Sequence, residues 1–241
     1  MTKPAKNSAK SFWLSIPGFL TALAALITAV TGLYAALHRA PVAYPTSEST
    51  ASRQLQHVPV HTVRIRSSTP SGTLVAYGFV TPKGFVVAGT ETFRNATQIS
   101  LSWMSEGLEQ RRPAQVVRTG AIAPSATLLQ IVGPPLNTPG SAIRVSGTLR
   151  IGEKVARYVG PDDIAFGTVT ELNAQREMPA DAGSQTMSRL LITTKISGIG
   201  DLGAPIVDSD GKIVAMLLAE ATDETICIPI EDIKASFPEA F

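Results

Sequence analysis

Short apolar runs, separated by glycine, proline and polar turn residues, follow one another along residues 63–241. They are rich in β-branched residues and too short for ordinary helices, so each indicates a β-strand. Strands at this spacing predict an all-β sandwich or barrel, with a short helix at Glu231–Phe237. The predicted strands are Thr73–Val80, Gly84–Ala88, Gln98–Trp103, Ala114–Arg118, Thr127–Val132, Glu153–Val159, Phe166–Leu172, Arg189–Ile196, Pro205–Val207, Ile213–Ala219 and Thr225–Ile230.

A different kind of segment precedes them. Phe12–Leu37 contains no charged residue, and as a helix rising ~1.5 Å per residue it is long enough to cross a hydrocarbon core of ~30 Å. A signal peptide is the alternative, but its apolar region is about 7 to 15 residues long and ends in a small-residue cleavage site, which is not evident here. We therefore expect residues 12–37 to form a transmembrane helix, which would make the chain a single-pass membrane protein.

Basic residues set the expected orientation of this helix. Residues 1–11 form a tail with Lys3, Lys6 and Lys10 and no acidic residue, so the positive-inside rule predicts a cytoplasmic N-terminus and a periplasmic or extracellular C-terminal domain. The start of the apolar segment, Trp13–Thr21, resembles an anchor attached to many otherwise unrelated bacterial membrane proteins. This resemblance implies the inner (plasma) membrane of a bacterium.

Small residues recur along the apolar segment at alternating spacings of four and three. Such a stripe places them on one helix face and permits close helix packing in lipid, although alanine and glycine are also simply common in membrane helices. The stripe allows an oligomer, or a structural subunit of a membrane complex, to form through Gly18, Ala22, Ala25, Ala29, Gly32 and Ala36. Residues 38–62, rich in Pro, Ser and Thr, are expected to be a linker to a domain at 63–241.

A loop motif near the C-terminus narrows the fold. Gly200–Val207 reads GDLGAPIV and is followed by the turn Asp208–Gly211 and an apolar run. This pattern resembles the nucleophile loop of trypsin-like, HtrA-type serine proteases, and the resemblance implies two packed six-stranded barrels. Leu202 stands where those enzymes have the nucleophilic serine. A leucine side chain has no lone pair with which to attack a carbonyl.

The other two triad positions follow from the same resemblance. Gly78–Phe93 resembles the segment around the catalytic histidine, and Glu91 falls on that residue. Ser125–Ile131 resembles the segment that begins with the catalytic aspartate, whose position Ser125 occupies. The backbone N–H groups of Gly200 and Leu202 take the positions of the oxyanion hole. A pairing of Glu91 with Ser125 would bring a carboxylate near a hydroxyl, but nothing in the sequence activates the serine.

The histidine content agrees with a missing base. The three histidines, His38, His57 and His61, all precede residue 62, and a serine nucleophile normally needs an imidazole to accept its proton. The single cysteine, Cys227, lies in an apolar run and is expected to be a core residue. These observations predict that the chain is not an enzyme. No metal-ligand cluster, P-loop or dinucleotide-binding motif is visible in the sequence, so no cofactor and no metal are expected.

The sequence therefore predicts a membrane-anchored, catalytically inactive trypsin-like domain that binds a protein or peptide or acts as a sensor. Two alternatives remain: an active serine-type endopeptidase whose catalytic residues have been misassigned, and a structural subunit of a membrane complex. Nucleic acid is not an expected partner. With the three tail lysines set aside, 18 basic residues face 19 acidic ones, and no basic helix of the kind that contacts phosphate is visible.

Overall fold

The computed structural model describes residues 60–105, 107–121, 125–134, 136, 140–144, 149–180, 183–196 and 201–241. The predicted membrane helix at 12–37, with its stripe of small residues, lies outside these ranges, as do the basic tail and nearly all of the linker. Within the described ranges, no helix has the length and apolar character needed to span a bilayer.

The first six strands form one closed antiparallel barrel in the order β1-β2-β3-β6-β5-β4. Side chains that alternate along these strands fill its interior, as the period of two requires. Val63 and Ile65 of the first strand meet Leu101 and Leu129 there, all fully or almost fully buried. The strands are β1 Thr62–Thr69, β2 Gly72–Val80, β3 Val86–Gly89, β4 Gln98–Ser105, β5 Leu108–Thr119 and β6 Ala126–Ile131.

The remaining six strands form a second closed antiparallel barrel in the order β10-β11-β12-β9-β8-β7. Val155, Leu191, Leu217 and Cys227 pack inside it. Two of its strands, β8 and β9, extend beyond the barrel as a long hairpin. The strands are β7 Lys154–Gly160, β8 Asp163–Ala180, β9 Gly183–Thr194, β10 Pro205–Val207, β11 Ile213–Glu220 and β12 Glu224–Pro229.

The two barrels share an apolar core. Phe79 and Leu128 from the first barrel belong to the same buried cluster as Met216 and Ile228 from the second. Burial of apolar surface stabilises such an interface by about 25 cal/mol per Å², so the barrels are held together mainly by this cluster. The side chain of Thr62 also donates a hydrogen bond of 3.1 Å to the carbonyl oxygen of Tyr158.

A short helix, α1 (Ile230–Ser236), follows β12 and packs against the same cluster. Beyond it, Arg118 of β5 donates two hydrogen bonds of 2.9 Å to the carboxylate of Glu239. The Arg118 guanidinium also lies 4.9 Å from the ring centroid of Phe237, within the range of a cation–π contact. This Arg118 clamp ties the first barrel to the segment after α1.

The all-β prediction, with two six-stranded barrels and a short C-terminal helix, is confirmed for the described residues. The turn at Asp208–Gly211 is present as well. Asp208 Oδ1 accepts hydrogen bonds from the backbone N–H groups of Asp210 and Lys212 at 3.0 and 2.9 Å, and Gly211 has φ +73°, which glycine adopts readily.

Candidate functional site

The loop Asp201–Gly203 lies between the barrels and is bonded to both. The backbone N–H of Tyr77, in the first barrel, donates to the carbonyl oxygen of Leu202 at 2.8 Å. The N–H of Gly203 donates to Leu217 of the second barrel at 2.9 Å. Gly203 has φ +81°, and a Cβ atom at this position would overlap the Tyr77 carbonyl oxygen. Only glycine fits here without displacing the loop.

Leu202, at the predicted nucleophile position, is 38% exposed. It presents an apolar side chain to solvent from a loop that is otherwise buried at Asp201, Gly203 and Ala204. Gly200, the other half of the predicted oxyanion hole, lies outside the described residues.

Glu91, at the predicted histidine position, lies in a 3-10 helix, Thr90–Phe93, directly after β3. Its carboxylate accepts a 2.7 Å hydrogen bond from Arg94, and the two side chains are 58% and 43% exposed. An exposed ion pair of this kind contributes little to stability. It does, however, hold the Glu91 carboxylate against Arg94.

Ser125, at the predicted aspartate position, precedes β6. Its carbonyl oxygen accepts a 2.9 Å hydrogen bond from the N–H of Thr90, which places it beside the Glu91 helix. Its hydroxyl is directed to the Sδ atom of Met187 in β9, at 3.6 Å. Thioether sulfur is a weak acceptor that cannot activate a nucleophile.

The structure brings the three predicted positions to the same region between the barrels. Thr90, beside Glu91, is bonded to Ser125, and the N–H of Gly89 lies against Gly203, beside Leu202. Among the contacts of the described residues, none joins the side chains of Glu91, Ser125 and Leu202 to one another. The loops therefore converge, whereas the side chains do not form a hydrogen-bonded triad.

Sequence reasoning missed Arg157. It lies in β7 with its side chain 9% exposed, and its Nη1 atom is 3.2 Å from Oδ2 of Asp201. This contact is an electrostatic pair, because the N–H is not aligned as a hydrogen bond. Arg157 Nη2 also donates to Asp163 at the start of β8. A single arginine inside the predicted apolar strand Glu153–Val159 was the available signal, since a buried charge needs a partner.

His61 lies away from these positions. It contributes to a cavity of about 180 Å³ that is also lined by Trp103, Leu136 and Tyr158, and not by Glu91, Ser125 or Leu202. Its Nε2 atom is buried and has no hydrogen-bond partner among the described residues, and burial lowers the pKa of the imidazole below its usual 6.5. The imidazole is therefore neutral at pH 7, but it does not line the region of the Leu202 loop.

Cys227 is fully buried in the second barrel, and burial raises the pKa of its thiol. The prediction that it is a core residue is confirmed. No group of three or more histidine, cysteine, aspartate or glutamate side chains in the described ranges is close enough to hold a metal ion.

No protein-family profile and no curated protein sequence matches the chain. Several solved structures do match the chain. The active form of the Rv3671c protease from M. tuberculosis superposes with a TM-score of 0.65 at 16% identity, covering 83% of this chain and 89% of that one. Deg5 superposes with a TM-score of 0.62 at 19% identity, covering 80% of this chain and 94% of that one. The MamO protease domain from Magnetospirillum magneticum superposes with a TM-score of 0.57 at 21% identity, covering 74% of this chain and 96% of that one.

These neighbours correct one prediction. The expectation that the chain is not an enzyme, drawn from Glu91, Ser125 and Leu202, is contradicted by the neighbours of the same architecture: one is named as a protease in its active form, and another, from Yersinia pestis, as a serine endoprotease. That expectation treated the three aligned positions as sufficient to decide activity. The region between the barrels in which they lie is, however, built by loops from both barrels. The chain has the two-barrel fold of HtrA- and Deg-type trypsin-like serine proteases.

Proposed function

We propose that the chain is a membrane-anchored serine-type endopeptidase that takes an extended polypeptide into the cleft between its barrels. The observation that carries the proposal is the double attachment of the Leu202 loop, to Tyr77 on one barrel and Leu217 on the other. A loop held in this way is preorganised, and preorganised backbone groups are what this type of site uses to orient a substrate carbonyl.

Leu202 supplies the apolar surface for such a substrate. Its side chain is large and 38% exposed beside an otherwise buried loop, so it offers a contact for an apolar residue of the polypeptide. A polypeptide with exposed apolar side chains, such as a partly unfolded protein, fits this surface better than a folded polar one.

Peptide hydrolysis by a serine needs a nucleophile and a base within hydrogen-bond reach. Leu202 supplies neither group, Glu91 is paired with Arg94, and the hydroxyl of Ser125 meets a sulfur atom. The chemistry therefore falls to side chains other than Glu91, Ser125 and Leu202. Support for hydrolysis comes from the named activity of the fold neighbours, and support for the anchor comes from the uncharged segment Phe12–Leu37.

The test uses the full-length chain in detergent. A fluorophosphonate probe should label one serine, which mass spectrometry then identifies, and unfolded casein should be cleaved. Absence of both, in protein whose Cys227 is still protected from thiol reagents, would contradict the hydrolytic part of the proposal.

Binding is measured separately, with a fluorescent unfolded casein fragment. Leu202→Asp should weaken its binding by about tenfold or more, because a charge replaces the apolar contact. Ile151→Asp is the matched control, since Ile151 is an exposed apolar residue elsewhere on the surface, at 67%. Equal effects of the two substitutions would contradict the assignment of the cleft.

A further inference from the structure

The outer face of the first barrel carries three arginines, two on β1 and one on β5, with β4 between these two strands. Along β1 the side chains of Val63 and Ile65 enter the core, so Arg64 and Arg66 project from the opposite face. Arg111 lies on β5. Together, Arg64, Arg66 and Arg111 are called here the arginine face.

Strand register aligns these residues. Arg64 pairs with Ser102 of β4, and Ser102 pairs with Arg111 of β5. With strands about 4.8 Å apart, Arg64 and Arg111 are separated by roughly 10 Å, and Arg66 lies about 6.6 Å along β1. Ser102 belongs to the same outer face yet is only 4% exposed, as expected for a small residue between two long side chains.

Among the residues that the structure describes, the positive charge of this face is largely uncompensated. No carboxylate in the described part of the chain forms an ion pair with Arg64 or Arg66, and Arg111 has only Glu109, at 3.9 Å with both side chains about half exposed. An exposed pair at that distance is weak and is screened by salt. The face therefore suits an anionic surface.

The short stretch of chain between the predicted anchor and the arginine face favours the membrane as this anionic surface. Only 22 residues separate Leu37, where the predicted anchor ends, from Val60 at the entrance to β1. Fully extended, they span at most about 75 Å. A barrel tethered this closely has a high effective concentration at the lipid surface, on the order of millimolar, so weak attraction by a few arginines suffices for docking.

We propose that the arginine face docks the first barrel on anionic lipid headgroups of the membrane that anchors the chain. Each arginine near an anionic surface contributes roughly fivefold to the docking equilibrium, so the three together contribute about a hundredfold. Met104 lies two positions after Ser102, hence on the same face, and is 67% exposed. It is placed to contact the interface when the barrel docks.

The inference rests on the proposed anchor but not on the proposed hydrolysis. The test places the full-length chain in nanodiscs of phosphatidylcholine alone or with about 30% phosphatidylglycerol. A neutral maleimide then labels a Met104→Cys variant, with Ile151→Cys as the equally exposed control; both residues are 67% exposed and Cys227 is fully buried.

Labelling of the Met104→Cys variant should slow by at least about fivefold on the anionic discs, and recover in about 1 M NaCl, where the Debye length falls to about 3 Å. Labelling of Ile151→Cys should be equal on both discs. Adding Arg64→Glu, Arg66→Glu and Arg111→Glu should abolish the slowing, and the milder change of all three to Gln should do so in part, while Cys227 stays unlabelled in each folded variant.

Two results would overturn docking: equal Met104→Cys rates on both discs, or slowing that persists in the charge-reversed protein. A chain that fails to enter even the phosphatidylcholine discs would overturn the anchor and the docking together. Casein cleavage by the same preparations reports on hydrolysis, so its failure is recognised independently.

Discussion

The guanidinium of Arg157 lies 3.2 Å from the carboxylate of Asp201, the residue that immediately precedes Leu202, and the two side chains are only 9% and 11% exposed. The pair joins β7 to the loop between the barrels. Because both charges are largely withdrawn from water, loss of either one removes a counter-charge from the other. The position of the Leu202 loop is thus coupled to a strand of the second barrel by electrostatics as well as by backbone hydrogen bonds.

Arg157→Met should destabilise the protein by about 3 kcal/mol or more, since it removes the guanidinium that lies 3.2 Å from the buried Asp201 carboxylate. Urea unfolding measures this. The double variant Arg157→Met, Asp201→Asn should recover part of the loss. Asp163→Asn is the control: Asp163 also pairs with Arg157 but is 55% exposed, so its loss should cost about 1 kcal/mol or less. Equal costs would contradict the buried pair.

Gly203→Ala should displace the Leu202 loop. The substitution places a side chain on a residue at φ +81° and drives a Cβ atom into the Tyr77 carbonyl oxygen, so we expect a loss of about 2 kcal/mol or more in unfolding free energy. Gly89→Ala is the matched control, because Gly89 faces open space in the same region. A tolerated Gly203→Ala would show that the Tyr77–Leu202 contact is not rigid.

Cys227 should react with a thiol reagent only when the protein unfolds. The thiol is fully buried, and its raised pKa keeps it protonated, whereas the thiolate is the reactive form. The measurement is the rate of disulfide exchange with an aromatic disulfide in native buffer and in urea. Rapid reaction in native buffer would show that the second barrel opens readily.

Because of His61, the free energy of unfolding should decrease as the pH is lowered below neutral. Burial lowers its folded-state pKa below the unfolded value of 6.5, so between these two values the unfolded chain binds more protons than the folded one. The stability contributed by His61 is therefore full above about pH 6.5 and declines as pH falls through the folded-state pKa. Urea unfolding at about pH 7.5 and 5.5 should show this decline, and His61→Gln should reduce it.

Most strands could be predicted from the sequence because apolar side chains alternate or cluster along them. The first strand, Thr62–Thr69, was not among the predictions. Its core face has only Val63 and Ile65 as large apolar residues, and its other face is polar. A half-buried strand with so few apolar positions resembles a polar linker until its partners are known.

The β8–β9 hairpin is longer than predicted for a related reason. The predicted strands Phe166–Leu172 and Arg189–Ile196 cover its apolar base, but the structure continues to Ala180 and back from Gly183. Polar residues dominate that extension, so periodicity does not reveal it. Arg176 supports it through hydrogen bonds of 2.9 Å to both Glu171 and Glu224.

The resemblance located the loops of the site but could not supply its side-chain contacts. Asp201 and Arg157 are far apart in the sequence, and only the strand arrangement shows that they meet. The arginine face has the same origin. Arg64 and Arg111 become neighbours only through the register of β1, β4 and β5, which a single sequence does not specify.

The Arg118 clamp also bears on the order in which the chain acquires its structure. Arg118 and Glu239 are 121 positions apart. At synthesis rates of about 5–20 residues per second, Glu239 is therefore made several seconds or more after Arg118. Until then the guanidinium of Arg118 has neither the Glu239 carboxylate nor the ring of Phe237 beside it. The nascent first barrel therefore lacks both this clamp and the shared core, and it completes its packing only after the second barrel has followed it.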